Sequence, residues 1–319
     1  MSKRGTVRVA LGAAALLAAA APVYASYRAA MRRARARIAA GRLVQTRCGP
    51  IEYAVAGNGP AVLFIHGAGG GFDQGLAFGS DLAVAGFRVI AMSRFGYLRT
   101  PLPADASAAA QADAHACLLD ELEIPRAAVI GGSAGAPSAM QFALRHPERT
   151  AALVLAVPAA YAPSVDGKLA LAVPVGTEAL FDTALRSDFL FWAASRLARA
   201  TVVRAILGTP PEVVERAGAE ERQRVARVIE EILPVSARRL GLMNDAAITS
   251  RLERYELEKI TAPTLVFSVA DDLYGTYECA QYTAAHIPDA RFVGYPSGGH
   301  LWVGHQREVF AEIVRFLRG

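Results

Sequence analysis

The chain of 319 residues is 53% hydrophobic and 20% charged, with 28 glycines and 17 prolines, which excludes a fibrous or disordered protein and predicts a large globular core. The formal net charge is +5 for the whole chain and +9 for residues 1–42, which leaves −4 for residues 43–319. Because phosphate binding requires a basic surface on the folded domain, we predict no nucleic-acid partner.

Residues 1–42 form a basic and apolar leader. Three basic residues precede an uncharged apolar run over residues 9–21, and a small-residue cleavage site follows at Ala25. This order is typical of a secretory signal peptide. Extending the run to Tyr27 approaches the ~20 residues of a membrane span, and residues 26–40 resemble a basic helix on anionic lipid. We therefore predict export or membrane association through the leader in preference to a cytoplasmic location, and we exclude the leader from the fold.

The three cysteines, Cys48, Cys117 and Cys279, are odd in number and widely spaced. No Cys-x-x-Cys pair is present in the sequence. This pattern favours free thiols buried as small hydrophobic residues, and not a disulfide framework or a zinc site.

Short apolar runs alternate with helical patterns in residues 43–157 and 261–319. Strands are predicted at two runs within Leu43–Ala56 broken at Gly49-Pro50, at Ala61–Ile65, Phe87–Met92, Ala127–Ile130, Ala151–Val157, Thr264–Val269 and Arg291–Tyr295. Helices are predicted at Gln74–Ala85, Ser107–Leu122, from Gly135 to His146, Tyr277–His286 and Arg307–Leu317. The alternation predicts an α/β fold, with a mainly parallel sheet and helices on both faces.

Residues 158–260 lack clear strand patterns and interrupt this alternation. Helices are predicted there over Glu178–Leu197, Glu212–Ile232 and Ser236–Leu252. We therefore predict a helical cap over residues 158–260, inserted between the two parts of the α/β core.

The pentapeptide Gly131–Gly135 reads Gly-Gly-Ser-Ala-Gly and fits the G-x-S-x-G pattern. It follows an apolar strand and opens a helix, which is the context that a nucleophile elbow requires. Small residues two before and two after Ser133 allow the sharp turn, and they place its hydroxyl at the carboxyl end of a parallel strand. We predict Ser133 as a nucleophile, with the Ala134 amide as one oxyanion donor.

A serine nucleophile needs a base and an orienting acid. His300 follows a glycine pair after the last predicted strand, at the same sheet edge as Ser133, and is the predicted base. His305 is its main rival. Asp271 and Asp272 both end the preceding strand, and the residues alone do not separate them.

A glycine-rich loop follows the strand Ala61–Ile65 and begins at His66. Backbone amides in such a loop are suited to binding a developing oxyanion. We predict Ala68 as the second donor, with Gly69 as the alternative.

With these residues in place, residues 43–319 resemble the α/β-hydrolase superfamily. The resemblance rests on His66-Gly67, Ser93–Tyr97, the Gly131–Gly135 elbow, Pro263–Val266 before the acid and Gly299-His300. The order Ser, Asp, His along the chain is also the order of that family.

The family resemblance implies further assignments. In similar proteins the acid is the fourth residue of a G-x-x-D turn, which selects Asp272 although Val269 replaces the glycine. The loop that reads Asp-x-Arg-Gly in relatives has Ser93 and Phe95 here, and it is not catalytic in them. Residues 158–260 resemble the cap. Epoxide hydrolases and haloalkane dehalogenases use an aspartate at the elbow, so Ser133 implies acyl transfer.

We therefore predict a serine hydrolase that acts on an ester or related acyl bond of a small apolar molecule, without metal or organic cofactor. A carbon–carbon bond hydrolase or a perhydrolase on the same triad is the alternative, followed by a non-enzymatic binding protein. Among Phe181, Phe189, Phe191, Trp192 and Met243 we expect one or two to line the acyl pocket, and the others to pack on the sheet.

Overall fold

The structure, a computed structural model, describes residues 3–163 and 185–319, with the backbone alone described for residues 3–19. Eight strands lie in these residues: β1 Arg42–Thr46, β2 Gly49–Ala56, β3 Ala61–Ile65, β4 Arg88–Met92, β5 Ala127–Gly132, β6 Thr150–Ala156, β7 Thr264–Val269 and β8 Arg291–Tyr295. Each predicted strand is present, and the bounds agree within one or two residues.

The described part of the chain also holds eleven α-helices. They are α1 Lys3–Ile38, α2 Phe72–Val84, α3 Ala108–Glu121, α4 Ala136–Arg145, α5 Asp188–Leu197, α6 Arg199–Ile206, α7 Pro211–Arg216, α8 Ala219–Glu231, α9 Arg239–Thr249, α10 Thr276–His286 and α11 Gln306–Arg318.

The eight strands form one sheet in the order β1-β2-β4-β3-β5-β6-β7-β8. The β1–β2 and β2–β4 pairs are antiparallel, and the remaining pairs are parallel. A tight turn joins β1 to β2, whereas the parallel neighbours need helical crossovers. The prediction of a mainly parallel sheet in an α/β fold is confirmed.

Both faces of the sheet are covered. In β3, Val62 and Phe64 face the cluster that contains side chains of α2 and α11, whereas Leu63 and Ile65 face the cluster with α3, α4 and α10. This follows from the two-residue period of a strand. Leu63 and Ile65 are fully buried, and each contributes about 1.5–3 kcal/mol through the area removed from water.

Helices α5–α9, here called the insert helices, lie between β6 and β7 in the chain. The helix predicted over Glu212–Ile232 is divided into α7 and α8, with Gly218 at the α8 N-cap. Glycine weakens a helix interior, which explains the break. Residues 178–184 of the helix predicted over Glu178–Leu197 lie outside the described residues. The division into core and cap stays a prediction.

Helix α1 packs against the insert helices through its C-terminal part. Ala30, Met31 and Ala34 are buried in a cluster that also contains Trp192 and Ile229. Excluding the whole leader from the fold was therefore wrong for this part of α1. Within the residues that the structure describes, no helix is both long and apolar enough to cross a membrane.

Cys48 and Cys117 form a disulfide, with their Cα atoms 6.1 Å apart. The prediction of free thiols is wrong for this pair and holds for Cys279, which is free and buried. The sheet edge brings the β1–β2 turn beside α3, and a separation of 69 residues leaves no local signal for this contact. Cross-links of this kind typically stabilise a fold by about 2–4 kcal/mol.

Glu231, at the end of α8, lies near the charges of Arg37, Asp73 and Arg238, and burial raises its pKa to about 7. Its unfolded pKa is near 4.5. Between these values the folded state retains a proton that the unfolded state has released. The stability linked to that proton is present below about pH 4.5, and it is lost as the pH rises through about 7.

We therefore expect Glu231→Gln, which cannot ionise, to be more stable than the wild type at pH 8 by about 2 kcal/mol, with the difference shrinking towards pH 5. Thermal unfolding at both pH values measures it. Glu230→Gln is a matched control, because this neighbour is exposed and lies 3.8 Å from Arg196. An equal gain at pH 5 and pH 8 would contradict burial of the ionised carboxylate as the cause.

Candidate active site

Ser133 stands at the end of β5, in a sharp turn that leads into α4. Its φ angle is 48°, in the left-handed region that costs a non-glycine residue free energy. The flanking glycines are needed for space. A Cβ at Gly131 would lie 2.5 Å from the side chain of Ala139, and one at Gly135 would lie 2.6 Å from the carbonyl oxygens of Ile65 and His66. The predicted reason for small residues on both sides is therefore present.

His300 lies on the loop after β8, within a short 3-10 turn over Gly299–Leu301. Its Nε2 is 2.8 Å from Ser133 Oγ. Gly299 has a φ of 61°, and a Cβ there would lie 2.6 Å from the Thr209 side chain. The predicted base is thus within hydrogen-bond distance of the predicted nucleophile.

The two adjacent aspartates have different contacts. Asp272 Oδ2 is 2.7 Å from His300 Nδ1, and its Oδ1 accepts the Tyr274 N–H at 2.9 Å. Asp271 Oδ1 instead accepts the Gly299 N–H at 2.7 Å and so holds the loop that carries the histidine. The pairing of Val269 with Tyr295 brings the β7 and β8 ends together. The structure therefore joins Asp272, and not Asp271, to His300.

The hydrogen-bond pattern around His300 defines its tautomer. Asp272 accepts from Nδ1–H, which leaves Nε2 to accept the Ser133 hydroxyl proton. His300 is 8% exposed and Asp272 7% exposed, whereas Ser133 is half-buried. The group that would react thus remains accessible while the groups behind it are shielded from water.

Two backbone amides next to Ser133 were predicted as oxyanion donors. Ile65 of β3 pairs with Gly131 of β5, which brings the glycine-rich loop beside the elbow. In that loop the Gly67 N–H donates to Gln74, the Gly69 N–H to Tyr97 Oη and the Gly70 N–H to the Gly67 carbonyl oxygen. None of these bonds uses the Ala68 amide. The Ala134 amide lies in the first turn after the nucleophile.

Further residues hold the acid and the base, and sequence reasoning missed them. Thr276 donates a short hydrogen bond to Asp272 Oδ2 and lies 2.9 Å from the Ser268 hydroxyl. The Tyr274 ring packs edge-on against the His300 ring, with centroids 4.9 Å apart. The Gly208 carbonyl oxygen, in the insert, accepts from the His300 N–H at 3.3 Å. Thr276 lies only four residues after the acid, so its hydroxyl could have been suggested as a partner from the sequence. Gly208 lies in a distant part of the chain, and nothing in the sequence connects it to His300.

His66 is buried in a defined neutral form. Burial and the charge of Arg94 lower its pKa well below the usual value. Its Nδ1 donates to the Gly67 carbonyl oxygen at 2.7 Å, and its Nε2 accepts the Arg94 N–H at 3.0 Å. These contacts give His66 a structural role in the oxyanion loop.

A buried polar cluster of Arg94, Tyr97 and Asp245 adjoins the same loop. Asp245, from helix α9, accepts two hydrogen bonds from the Arg94 guanidinium at 2.6 and 2.7 Å, and one from Tyr97 Oη at 2.5 Å. Burial and the Asp245 charge raise the pKa of Tyr97 well above its usual value, so its hydroxyl stays protonated. The sequence marked Arg94 only as part of a family loop.

The rival base has a different partner. His305 Nδ1 lies 3.0 Å from Glu308 Oε2, and its ring packs on Tyr295 at a centroid distance of 4.4 Å. No cluster of three or more His, Cys, Asp or Glu side chains that could hold a metal ion occurs among the residues described.

The aromatic residues expected to line an acyl pocket have other contacts. Phe189 and Trp192 pack against Tyr27 of α1, with centroid distances of 5.3 and 5.6 Å. Phe191 is fully buried and Met243 is 58% exposed. The expectation for Phe181 lies outside the described residues. Phe189, Phe191 and Trp192 thus pack against other helices, and not on the sheet as expected.

Comparison with known proteins adds independent information. A family model described as "alpha/beta hydrolase fold" matches residues 60–303. A protein of Variovorax paradoxus named "Putative carbamate hydrolase RutD" is 31% identical over 274 residues, 82% of this chain and 93% of that protein. A 2-hydroxy-6-oxononadienedioate/2-hydroxy-6-oxononatrienedioate hydrolase of Paraburkholderia xenovorans is 37% identical over 111 residues, 33% of this chain and 38% of that protein.

A solved structure shares the fold. An alpha/beta hydrolase fold protein from Nakamurella multipartita superposes with a TM-score of 0.65 at 28% sequence identity, and the match covers 87% of this chain and 99% of that one.

Proposed function

The chain belongs to the α/β-hydrolase family, and on this premise we propose that it is a serine hydrolase that cleaves ester or related acyl bonds through an acyl-enzyme. One observation carries the proposal. Ser133, His300 and Asp272 form a continuous hydrogen-bonded chain, with distances of 2.8 Å and 2.7 Å at its two links. This arrangement has the geometry required for activation of a serine by a histidine whose tautomer a carboxylate fixes.

In the first half-reaction, Ser133 Oγ attacks the substrate carbonyl carbon while His300 Nε2 takes the hydroxyl proton. The tetrahedral intermediate collapses when His300 returns that proton to the leaving group, and the acyl group stays on Ser133. Water then attacks the acyl carbon with His300 again as base, which releases the acid and restores the serine. Asp272 stabilises the imidazolium that forms in both steps.

The amides of Ala68 and Ala134 are the proposed donors to the intermediate's oxyanion. Each belongs to a peptide unit whose carbonyl oxygen already has a partner. The Gly67 carbonyl accepts from His66, and the Ser133 carbonyl accepts from the Ala159 N–H at 3.1 Å. Preorganised donors of this kind need no rearrangement during the reaction.

For the substrate we propose a small, apolar acyl compound. Exposed apolar side chains on α9, the helix that also carries Asp245, support this choice: Leu240 and Met243. The name of the Variovorax protein adds carbamates, whose carbonyl carbon is attacked in the same way, to the compounds worth testing.

Labelling of the purified protein by a fluorophosphonate probe tests the reaction class. We expect one label per chain, on Ser133 by peptide mass spectrometry, and competition by substrate esters. A series of nitrophenyl esters of increasing acyl length, with a nitrophenyl carbamate beside them, then defines the acyl group. Absence of labelling in a folded wild type would remove the serine-hydrolase proposal.

Carbon–carbon bond hydrolysis is the second candidate, and the named Paraburkholderia relative favours it. It would use the same Ser133 and His300 on a carbonyl whose leaving group is a carbon. Three results together would replace the ester proposal with this one. The fluorophosphonate would label the protein, no ester or carbamate would be turned over, and 2-hydroxy-6-oxononadienedioate would be hydrolysed.

For location we propose export, or attachment to a membrane by the leader. The Cys48–Cys117 disulfide supports this proposal, because disulfides persist in oxidising compartments. Cell fractionation combined with N-terminal sequencing tests it. We expect recovery outside the cytoplasmic fraction, with either an intact leader or a new terminus after Ala25; a soluble cytoplasmic protein with reduced Cys48 and Cys117 would contradict it.

A further inference from the structure

Arg94, Tyr97 and Asp245, here called the buried triplet, connect an insert helix to the sheet. The side chains of Arg94 and Asp245 are each only 5% exposed. They lie 151 positions apart in the chain, with Arg94 on the loop after β4 and Asp245 on α9. Tyr97 is fully buried and donates to the same Asp245 oxygen that accepts from Arg94 Nη2.

The buried triplet also contacts both sides of the proposed oxyanion site. Arg94 Nη1 donates to the Ala134 carbonyl oxygen at 3.2 Å, one peptide beyond the proposed Ala134 donor. Tyr97 Oη accepts the Gly69 N–H at 3.2 Å, one peptide beyond the proposed Ala68 donor. One buried carboxylate, Asp245, thus fixes the two groups that hold the loop and the elbow.

A third connection reaches the Ala68 amide through His66. The Arg94 N–H donates to His66 Nε2, and His66 Nδ1 donates to the Gly67 carbonyl oxygen. That carbonyl and the Ala68 N–H belong to the same planar peptide unit. The direction of the carbonyl therefore sets the direction of the amide, and the Tyr97 ring packs edge-on against His66 at 4.7 Å.

We propose that Asp245 and Tyr97 are positioning residues, through which helix α9 sets the geometry of the Ala68 and Ala134 amides for the transition state. The inference rests on the proposed serine-hydrolase function and deepens it. Neither residue is assigned contact with substrate. They act on the reacting atoms only through the loop and the elbow. Their replacement should therefore weaken stabilisation of the oxyanion and leave binding of the ground-state substrate unchanged.

Tyr97→Phe is the most direct test, because it removes one hydroxyl from the buried triplet and keeps the ring. The Gly69 N–H loses its acceptor and Asp245 loses a donor. We expect kcat per fluorophosphonate-titrated site to fall by about 10-fold, with KM for a nitrophenyl ester changed by less than about 3-fold. Titration removes any contribution from misfolded protein.

Asp245→Asn should have a larger effect, since it removes the charge that orients Arg94 and Tyr97. We expect kcat per titrated site to fall by about 10- to 100-fold. Glu52→Gln is the matched control. Glu52 is a fully buried carboxylate that accepts from Arg99 and Ser93, with no recorded contact to the oxyanion loop or the elbow, and its replacement should change kcat by less than about 3-fold.

A transition-state analogue gives a readout that a purely structural role would not move. For a boronic acid inhibitor, we expect affinity to weaken in Tyr97→Phe and Asp245→Asn in proportion to kcat/KM. In the double variant, kcat per titrated site should be no more than about 3-fold below that of Asp245→Asn, because Tyr97 and Asp245 act through the hydrogen bond that joins them. Labelling of the wild type, with unchanged kcat per titrated site in Tyr97→Phe, would overturn the inference and leave the proposed function intact.

Discussion

Replacing Ser133 with alanine is expected to lower kcat for ester hydrolysis by about 10⁵- to 10⁶-fold and to abolish fluorophosphonate labelling. The hydroxyl is the atom that forms the acyl-enzyme, and alanine leaves no nucleophile within reach of His300. The fold should persist, because the change removes one half-buried oxygen whose recorded contact is with His300 Nε2. Turnover by stopped assay and labelling by gel fluorescence measure the two effects.

The double variant Ser133→Ala/His300→Ala provides the internal control. Because the base acts only through the nucleophile, the second replacement should cost no more than a few-fold beyond the first. Comparison of the far-ultraviolet circular dichroism of all variants establishes that they fold. Retention of more than about 1% of wild-type kcat in Ser133→Ala would exclude the acyl-enzyme mechanism.

Asp272→Asn is expected to lower kcat by about 10³- to 10⁴-fold. The Tyr274 N–H requires an acceptor at the Oδ1 position, so the asparagine carbonyl takes that place and its amide takes the place of Oδ2. That amide donates to His300 Nδ1 and selects the tautomer whose Nε2 carries a proton. Such a histidine cannot accept the Ser133 proton.

Asp271→Asn is the matched control, because it makes the same change one residue away. The asparagine carbonyl can still accept the Gly299 N–H that Asp271 accepts at 2.7 Å. We therefore expect kcat to fall by less than about 10-fold. If Asp271→Asn lost more turnover than Asp272→Asn, Asp271 would take the role of orienting acid.

Much of the fold was predictable because its signals are local. The strands Ala61–Ile65 and Arg291–Tyr295 have the bounds that their apolar runs predicted. Ser107 caps the helix predicted over Ser107–Leu122 by accepting the Ala110 N–H. Where the prediction erred, as in the continuous helix over Glu212–Ile232, a single glycine decided the outcome.

The contacts that were missed join distant parts of the chain. The Cys48–Cys117 disulfide and the bidentate pair of Arg94 with Asp245 each span 69 or more residues. Nothing in the sequence around these four residues indicates which residue each of them contacts. The packing of Met31 on the insert helices was missed for the same reason, because a basic and apolar leader has the same composition whether it is removed or docked.

The sequence by itself determined the α/β fold class, the elbow at Ser133 and the set of acids and bases near the sheet edge, since strand and helix periodicity and glycine spacing are properties of short segments. The residues alone left Asp271 and Asp272 open and the family resemblance selected Asp272; the tertiary structure gives the physical difference, because adjacent side chains on one turn point to different neighbours. It alone brought Asp245 of α9 under the oxyanion loop. Contacts of this kind depend on how separate elements pack, which periodicity along the chain does not encode.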